Sequence, residues 1–124
     1  MIIGLGTDLV EIARIDRVYQ RHGERFARRI LTPTEYLQFT DRQYCVAYLA
    51  KRFAAKEAIV KALGTGFRGL MQWQNIEVLA DRLGKPVAYL LNGAAEQLEQ
   101  QSTISITISD ERQYALAFAL YHRV

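Results

Sequence analysis

Two carboxylates and a lysine occupy positions in this 124-residue chain that could do chemistry. Glu57 lies in the stretch YLAKRFAAKEAIVKALGTG (48–66), which reads as a helix. At about 100° per residue, Val46, Leu49, Ala50, Phe53 and Val60 form one apolar stripe, and Glu57 falls inside it, a turn after Phe53. Lys56 and Lys61 flank it, while Lys51 and Arg52 point further round. A carboxylate facing a core is costly unless a charge, a set of donors or a metal meets it. Asp8 lies in IIGLGTDLV (2–10), a strand that puts Ile3, Leu5, Thr7 and Leu9 on one face and Gly4, Gly6, Asp8 and Val10 on the other. Two glycines on one face let another backbone come close. Asp8 then either points into a crevice or caps the helix that follows, and capping is the commoner use of such a residue.

If the long helix packs on the glycine face, Asp8 and Glu57 can meet. Two adjacent carboxylates repel unless one is protonated or a cation joins them. With two protein oxygens and open positions, Mg²⁺ fits, because it keeps waters and takes substrate phosphate as a further ligand. Lys61, Arg52 and Arg68 are candidates to neutralise a diphosphate beside the loop GTGFRG (64–69). That loop follows a helix, so it sits at the negative end of the helix dipole. It lacks a Gly-Lys-Ser/Thr after a strand and is not a Walker loop; a plain helix cap at Gly64 is an equal reading.

The elements that must position these residues follow from periodicity. From Glu11 the spacing of Ile12, Ile15, Val18 and Tyr19 predicts a helix ended by Gly23. Arg14, Arg17, Arg21, Arg25 and Arg28 make one basic stripe if the helix resumes after Gly23; it is either a solvated face or a docking surface for something acidic. Thr32-Pro33-Thr34-Glu35 starts a short helix with a capping box, ending near Asp41. After Trp73 the pattern becomes β: Ile76, Val78 and Ala80 alternate, and DRLGKP (81–86) turns into VAYLL. Asn92 is read as the cap of a short helix over 93–101. STISITIS (102–109) alternates isoleucines with hydroxyls, and a turn leads into QYALAFALY. The hydroxyl face either serves a ligand or is the outer side of a sheet.

Length and composition allow one domain over residues 1–124, half hydrophobic and carrying a net charge of +3. The single cysteine, Cys45, excludes an internal disulfide and reads as a packed thiol. The amino-terminal residues lack a signal-peptide pattern, and no apolar run approaches the roughly 20 residues of a membrane span. The expectation is a cytoplasmic protein with no membrane association.

GTDLVEIARI (6–15) together with LAKRFAAKEAIVKALGTG (49–66) resembles holo-[acyl-carrier-protein] synthase, the short type of 4′-phosphopantetheinyl transferase. RRILTPTE (28–35), GKP (84–86) and the closing YALAFAL support the resemblance, which runs over nearly the whole chain in the same order. It implies a compact α+β fold, an antiparallel sheet packed against a long helix, assembled as a homotrimer with active sites at subunit boundaries. It also implies Mg²⁺-dependent transfer of 4′-phosphopantetheine from coenzyme A to a serine of apo-acyl carrier protein, in fatty acid biosynthesis. Asp8 and Glu57 match the magnesium ligands, and Glu57 and Lys61 the catalytic positions. Lys61, Gly64 and Gly66 match positions that hold the coenzyme A phosphates. Arg52 matches a position near the adenylate end, and Pro86 falls with it among the coenzyme A contacts. Arg14, Arg21 and Arg25 match the surface that meets the acidic carrier protein. The serine proton goes to Glu57 or to a magnesium-bound water. Many relatives carry histidine where this chain has Ile108; Thr107 or Ser109 could supply hydrogen bonds instead, whereas His22 and His122 read as surface residues. Two other readings compete: a non-catalytic coenzyme A or carrier-protein binding module, and a small basic nucleic-acid-binding domain using the arginine stripe. The second leaves Asp8 and Glu57 unexplained.

Overall fold

The computed structural model describes residues 1–124. In chain order it contains β1 (Ile2–Glu11), α1 (Ile12–His22), α2 (Glu24–Ile30), α3 (Pro33–Asp41) and α4 (Val46–Leu63). There follow β2 (Ile76–Ala80), β3 (Pro86–Leu90), β4 (Ser102–Asp110) and β5 (Tyr114–Arg123), with 3₁₀ turns at Trp73–Asn75 and Ala94–Gln97. The strands form an antiparallel sheet in the order β1-β5-β4 and a separate β2-β3 hairpin. This is the expected α+β architecture. No helix is long and apolar enough to cross a membrane.

The sheet and α4 meet through small residues. β5 turns Ala115, Ala117 and Ala119 inward, and α4 answers with Ala54, Ala55, Ala58 and Ala62, all buried. On β1 the inward positions are Gly4 and Gly6, and here backbone meets backbone. A Cβ built on Gly4 would lie 2.0 Å from the Ala62 carbonyl oxygen, and one on Gly6 would lie 2.0 Å from that of Ala58. Only glycine permits this approach.

A buried ion pair ties the helices to the hairpin. Lys56 and Glu35 are both 0% exposed. Lys56 Nζ donates to Glu35 Oε1 at 2.7 Å, to the Ile30 carbonyl at 2.6 Å and to the Trp73 carbonyl at 3.0 Å. Three acceptors thus meet the three N–H groups of an ammonium. Glu35 closes the capping box of α3 and also accepts from Val78 N–H at 2.7 Å. Burial pushes the Lys56 amine down, with the Glu35 carboxylate opposing it. No buried side-chain nitrogen or oxygen lacks a partner.

Several expectations change. Arg52 and Lys56, placed by periodicity beside or beyond the apolar stripe, are buried, because α4 is covered on nearly every side, and Glu57 is half-buried. As expected, by contrast, the helix after β1 ends at Gly23 (φ 61°) and resumes as α2, so the arginine stripe runs over two helices. Asn92 caps no helix: it bonds Asn75 Oδ1, and Gly93 precedes a single 3₁₀ turn. Cys45 is exposed at the start of α4 rather than packed. Ser105, Thr107 and Ser109 lie on the solvent side of the sheet.

Gly6→Ala is expected to lower stability by at least the roughly 1–3 kcal/mol of an overpacked core position, since the obstacle is backbone. Urea unfolding checks this; an unchanged midpoint would contradict the close approach.

Candidate active site

The glycine contact decides where the first functional residue goes. With β1 pressed on α4 at Gly4 and Gly6, Asp8 follows two residues later on the same face and meets the last turns of the helix. Lys61 Nζ donates to Asp8 Oδ1 at 3.1 Å and to the Thr7 carbonyl at 2.9 Å. Asp8 therefore faces Lys61 and is not a helix cap: Glu11 occupies the N-cap of α1, with no side-chain cap bond. Glu57 stands one turn before Lys61 on α4. Burial, then the Asp8 charge, raise its carboxyl above the ordinary value of 4.5, while Lys61 and Arg14 pull it down. Two carboxylates and two cations thus share one crevice between β1, α1 and α4.

The donor set suits a hard divalent cation bound by few protein atoms. No group of three or more His, Cys, Asp or Glu side chains is positioned to hold a metal. Asp8 and Glu57 together offer two carboxylates, one oxygen of which is engaged by Lys61. That is the sparse arrangement Mg²⁺ accepts, with waters and phosphate oxygens as its other ligands.

Gly64 and Gly66 lie three and five residues after Lys61 and are exposed. Gly64 takes the left-handed conformation (φ 74°) that ends α4, and Gly66 N–H reaches back to the Val60 carbonyl. Arg52 and Pro86 are elsewhere. Nine residues separate Arg52 from Lys61, about 13.5 Å along the helix axis, so Arg52 is out of reach of the glycine loop, contrary to the sequence expectation. Its Nε donates to the Val78 carbonyl at 3.0 Å, and its guanidinium lies 4.4 Å from the Tyr48 ring centroid. It lines a second cleft with Pro86, Arg42, Lys51 and Ile108. Ile108 therefore contributes an apolar wall to a cleft that also holds three cations and the Asp110 carboxylate, which lies 3.8 Å from Lys51 Nζ.

Arg14, Arg21 and Arg25 are exposed on α1 and α2. Arg17 and Arg28 are engaged by Glu11 and Glu24, and Arg28 also covers Tyr36. Arg25 lines a groove with Val18, His22, Phe26 and Arg29. His22 is exposed, and His122 Nε2 sits 2.8 Å from Ser105 Oγ on the outer sheet face. Sequence reasoning missed Arg42 and Lys51 in the second cleft, and the stack of Phe53, Trp73 and Phe67 with ring centroids 5.1 and 4.0 Å apart. Such contacts join residues distant in the chain and leave no periodic trace; only Phe53, one turn before Glu57, carried a hint.

A family model described as the 4′-phosphopantetheinyl transferase superfamily matches residues 4–119. The chain is 50% identical over 125 residues to a holo-[acyl-carrier-protein] synthase of Photorhabdus laumondii, with 98% of each chain covered. The crystal structure of holo-[acyl-carrier-protein] synthase from Neisseria meningitidis superimposes with a TM-score of 0.94 at 46% identity, covering 99% of this chain and 100% of that one. A Bacillus anthracis holo-(acyl-carrier-protein) synthase in complex with CoA (3′,5′-ADP) gives 0.83 at 30% identity, with 100% and 99% covered.

Because its raised carboxyl favours the protonated form in the folded state, Glu57 opposes folding when ionised. Its favourable contribution is complete below the ordinary value of 4.5 and is lost as pH rises through the raised one. Glu57→Gln should therefore raise the thermal midpoint of the metal-free protein near neutral pH, with the gain fading in acid. Thermal scans in EDTA across pH check this; a lower midpoint at neutral pH would contradict it.

Proposed function

The chain belongs to the 4′-phosphopantetheinyl transferase superfamily, and we infer that it transfers the 4′-phosphopantetheine group of coenzyme A to a serine of an apo-acyl carrier protein, releasing adenosine 3′,5′-bisphosphate. The observation that carries this reading is the convergence of Asp8, Glu57, Lys61 and Arg14 in one crevice. Attack of the serine oxygen on the phosphorus bearing the pantetheine forms one O–P bond and breaks the bond from that phosphorus to the bridging oxygen. What such a reaction asks of the protein is neutralised phosphate charge and a nucleophile held in line.

In this reading Asp8 and Glu57 hold Mg²⁺, which when bound supplies the positive charge that offsets the diphosphate. Lys61, pinned by the Thr7 carbonyl, keeps an ammonium fixed beside the same phosphates. Gly64 and Gly66 leave the space next to it free of side chains. Arg14 stands between the crevice and the basic surface of α1 and α2, where it, Arg21 and Arg25 receive the acidic carrier protein. The serine proton has Glu57 or water in the crevice as its acceptor.

Arg52 and Pro86 bind the adenylate end of coenzyme A, in the cleft with Arg42 and Lys51. Since that cleft lies at the other end of α4, we assign the complete site to two copies of the chain in a homotrimer. One copy supplies Asp8, Glu57 and Lys61, and its neighbour supplies Arg52 and Pro86. The outer face of the β1-β5-β4 sheet supports such assembly, for it exposes Leu5 (56%), Leu9 (62%) and Leu116 (43%). Residues 1–124 then act as one cytoplasmic transferase domain, with no membrane or nucleic-acid partner.

Incubating the protein with apo-acyl carrier protein, coenzyme A and Mg²⁺ should raise the carrier's intact mass by one phosphopantetheine. EDTA should abolish the gain, and Asp8→Ala should slow it by two orders of magnitude or more, about 3 kcal/mol of barrier. Full modification in EDTA would remove the metal from the account. No modification with several carrier proteins, while coenzyme A still binds, would favour the binding module.

A further inference from the structure

The segment from Gly64 to Gln72 forms neither helix nor strand, yet it carries the two glycines placed beside the phosphates. Its backbone reaches α4 through two bonds, from Gly64 N–H to the Lys61 carbonyl and from Gly66 N–H to the Val60 carbonyl at 3.4 Å. The far end is held more firmly. Met71 is buried, and Trp73 stacks on Phe53 of α4 with ring centroids 5.1 Å apart. The Trp73 carbonyl accepts from Lys56 Nζ at 3.0 Å. Gln74 Nε2 donates to the Arg28 and Leu31 carbonyls at 2.7 Å and to that of Arg29 at 3.3 Å, while Lys56 takes the Ile30 carbonyl between them. Carbonyls that the end of α2 leaves open are thus met from α4 and from the residue after Trp73. Lys56 precedes Glu57 by one residue and Leu63 by seven, about 10.5 Å along the helix axis. The segment therefore folds back along the turns of α4 that carry Glu57 and Lys61. Phe67, directly after Gly66, stacks on Trp73 with centroids 4.0 Å apart.

We propose that Lys56 is a positioning residue for the transfer: its ammonium fixes the Trp73 end of the glycine segment on α4 and so holds Gly64 and Gly66 in place beside Lys61. The assignment rests on the transfer reading above. Lys56 has no N–H to offer a substrate, since three acceptors take all three and its side chain is fully buried. It acts through what it holds, along the path Trp73, Phe67, Gly66. Without the ammonium, two carbonyls and a carboxylate lose a buried partner, a cost relieved when the Trp73 segment moves out to water. The stacked Phe67 follows Trp73, and the adjoining glycine is drawn away from Lys61.

Lys56→Met keeps the length of the side chain and removes its charge. Lys56→Met combined with Glu35→Gln, which strands no carboxylate, serves if the single variant does not fold. Each is studied at a temperature where circular dichroism shows it folded. Coenzyme A is titrated by calorimetry in Mg²⁺, and transfer to apo-acyl carrier protein is followed by intact mass. Affinity for coenzyme A should fall about tenfold and its KM rise to match, with the binding stoichiometry unchanged. Emission of Trp73, the only tryptophan, should shift to longer wavelength before any ligand is added. A lysine that serves stability alone would lower the thermal midpoint or the stoichiometry and leave affinity and KM within twofold. That result, or an emission maximum that does not move, would overturn the assignment while leaving the transfer reading intact. Unaltered protein that neither binds coenzyme A nor modifies the carrier would overturn the two together.

Discussion

The fold and the chemistry both depend on the contact between β1 and α4, where two glycines let a strand lie against a helix backbone. A side chain at either position would meet a carbonyl oxygen at 2.0 Å and push the strand away. The alanines of β5 and α4 extend the same small-residue interface across the sheet. Close packing of this kind gains dispersion and burial but leaves little tolerance for change. Its functional result is that Asp8, projecting just beyond the second glycine, shares a crevice with Glu57 and Lys61. A carboxylate pair is electrostatically unfavourable without a partner, so the site carries a cost that the rest of the fold must offset.

The Lys56–Glu35 pair is part of what sets the position of the helix. A buried ion pair is weak support for stability by itself, but losing one partner strands a charge, so it constrains arrangement strongly. Here one ammonium joins the ends of α2 and α3 to α4 and to the segment leading into β2. Glu57 is the next residue on α4. The direction in which it faces is thus fixed from one side by the glycine contact and from the other by a saturated polar hub. The aromatic stack starts from the same turn, through Phe53.

Much of this was legible in the sequence, for specific reasons. The alternation of β1, the capping box at Thr32 and Glu35, and the left-handed stop at Gly64 are local signals, and each appears in the structure where the residues placed it. The two glycines and Asp8 on one strand face also pointed to a close approach. Long-range partners were not legible. Lys56 reads as a flank residue in a charged helix, and nothing in the spacing says that Glu35, twenty-one residues earlier, meets it. Periodicity also assumes one buried face, whereas α4 is enclosed by the sheet, the other helices and the hairpin. That is why Arg52 and Lys56 were set outside the core. The distance between Arg52 and the glycine loop required the helix to be seen in three dimensions.

The claim at the centre of this account is that the glycine contact brings Asp8 and Glu57 into electrostatic contact. Carbon-13 NMR titration of the Glu57 carboxyl, in the protein and in Asp8→Asn, measures that contact directly. The account predicts titration above the ordinary carboxylate value in the unaltered protein, a downward shift in Asp8→Asn, and a further depression of the unaltered carboxyl when Mg²⁺ is added. A Glu57 carboxyl that titrates at its ordinary value and ignores both changes would contradict it.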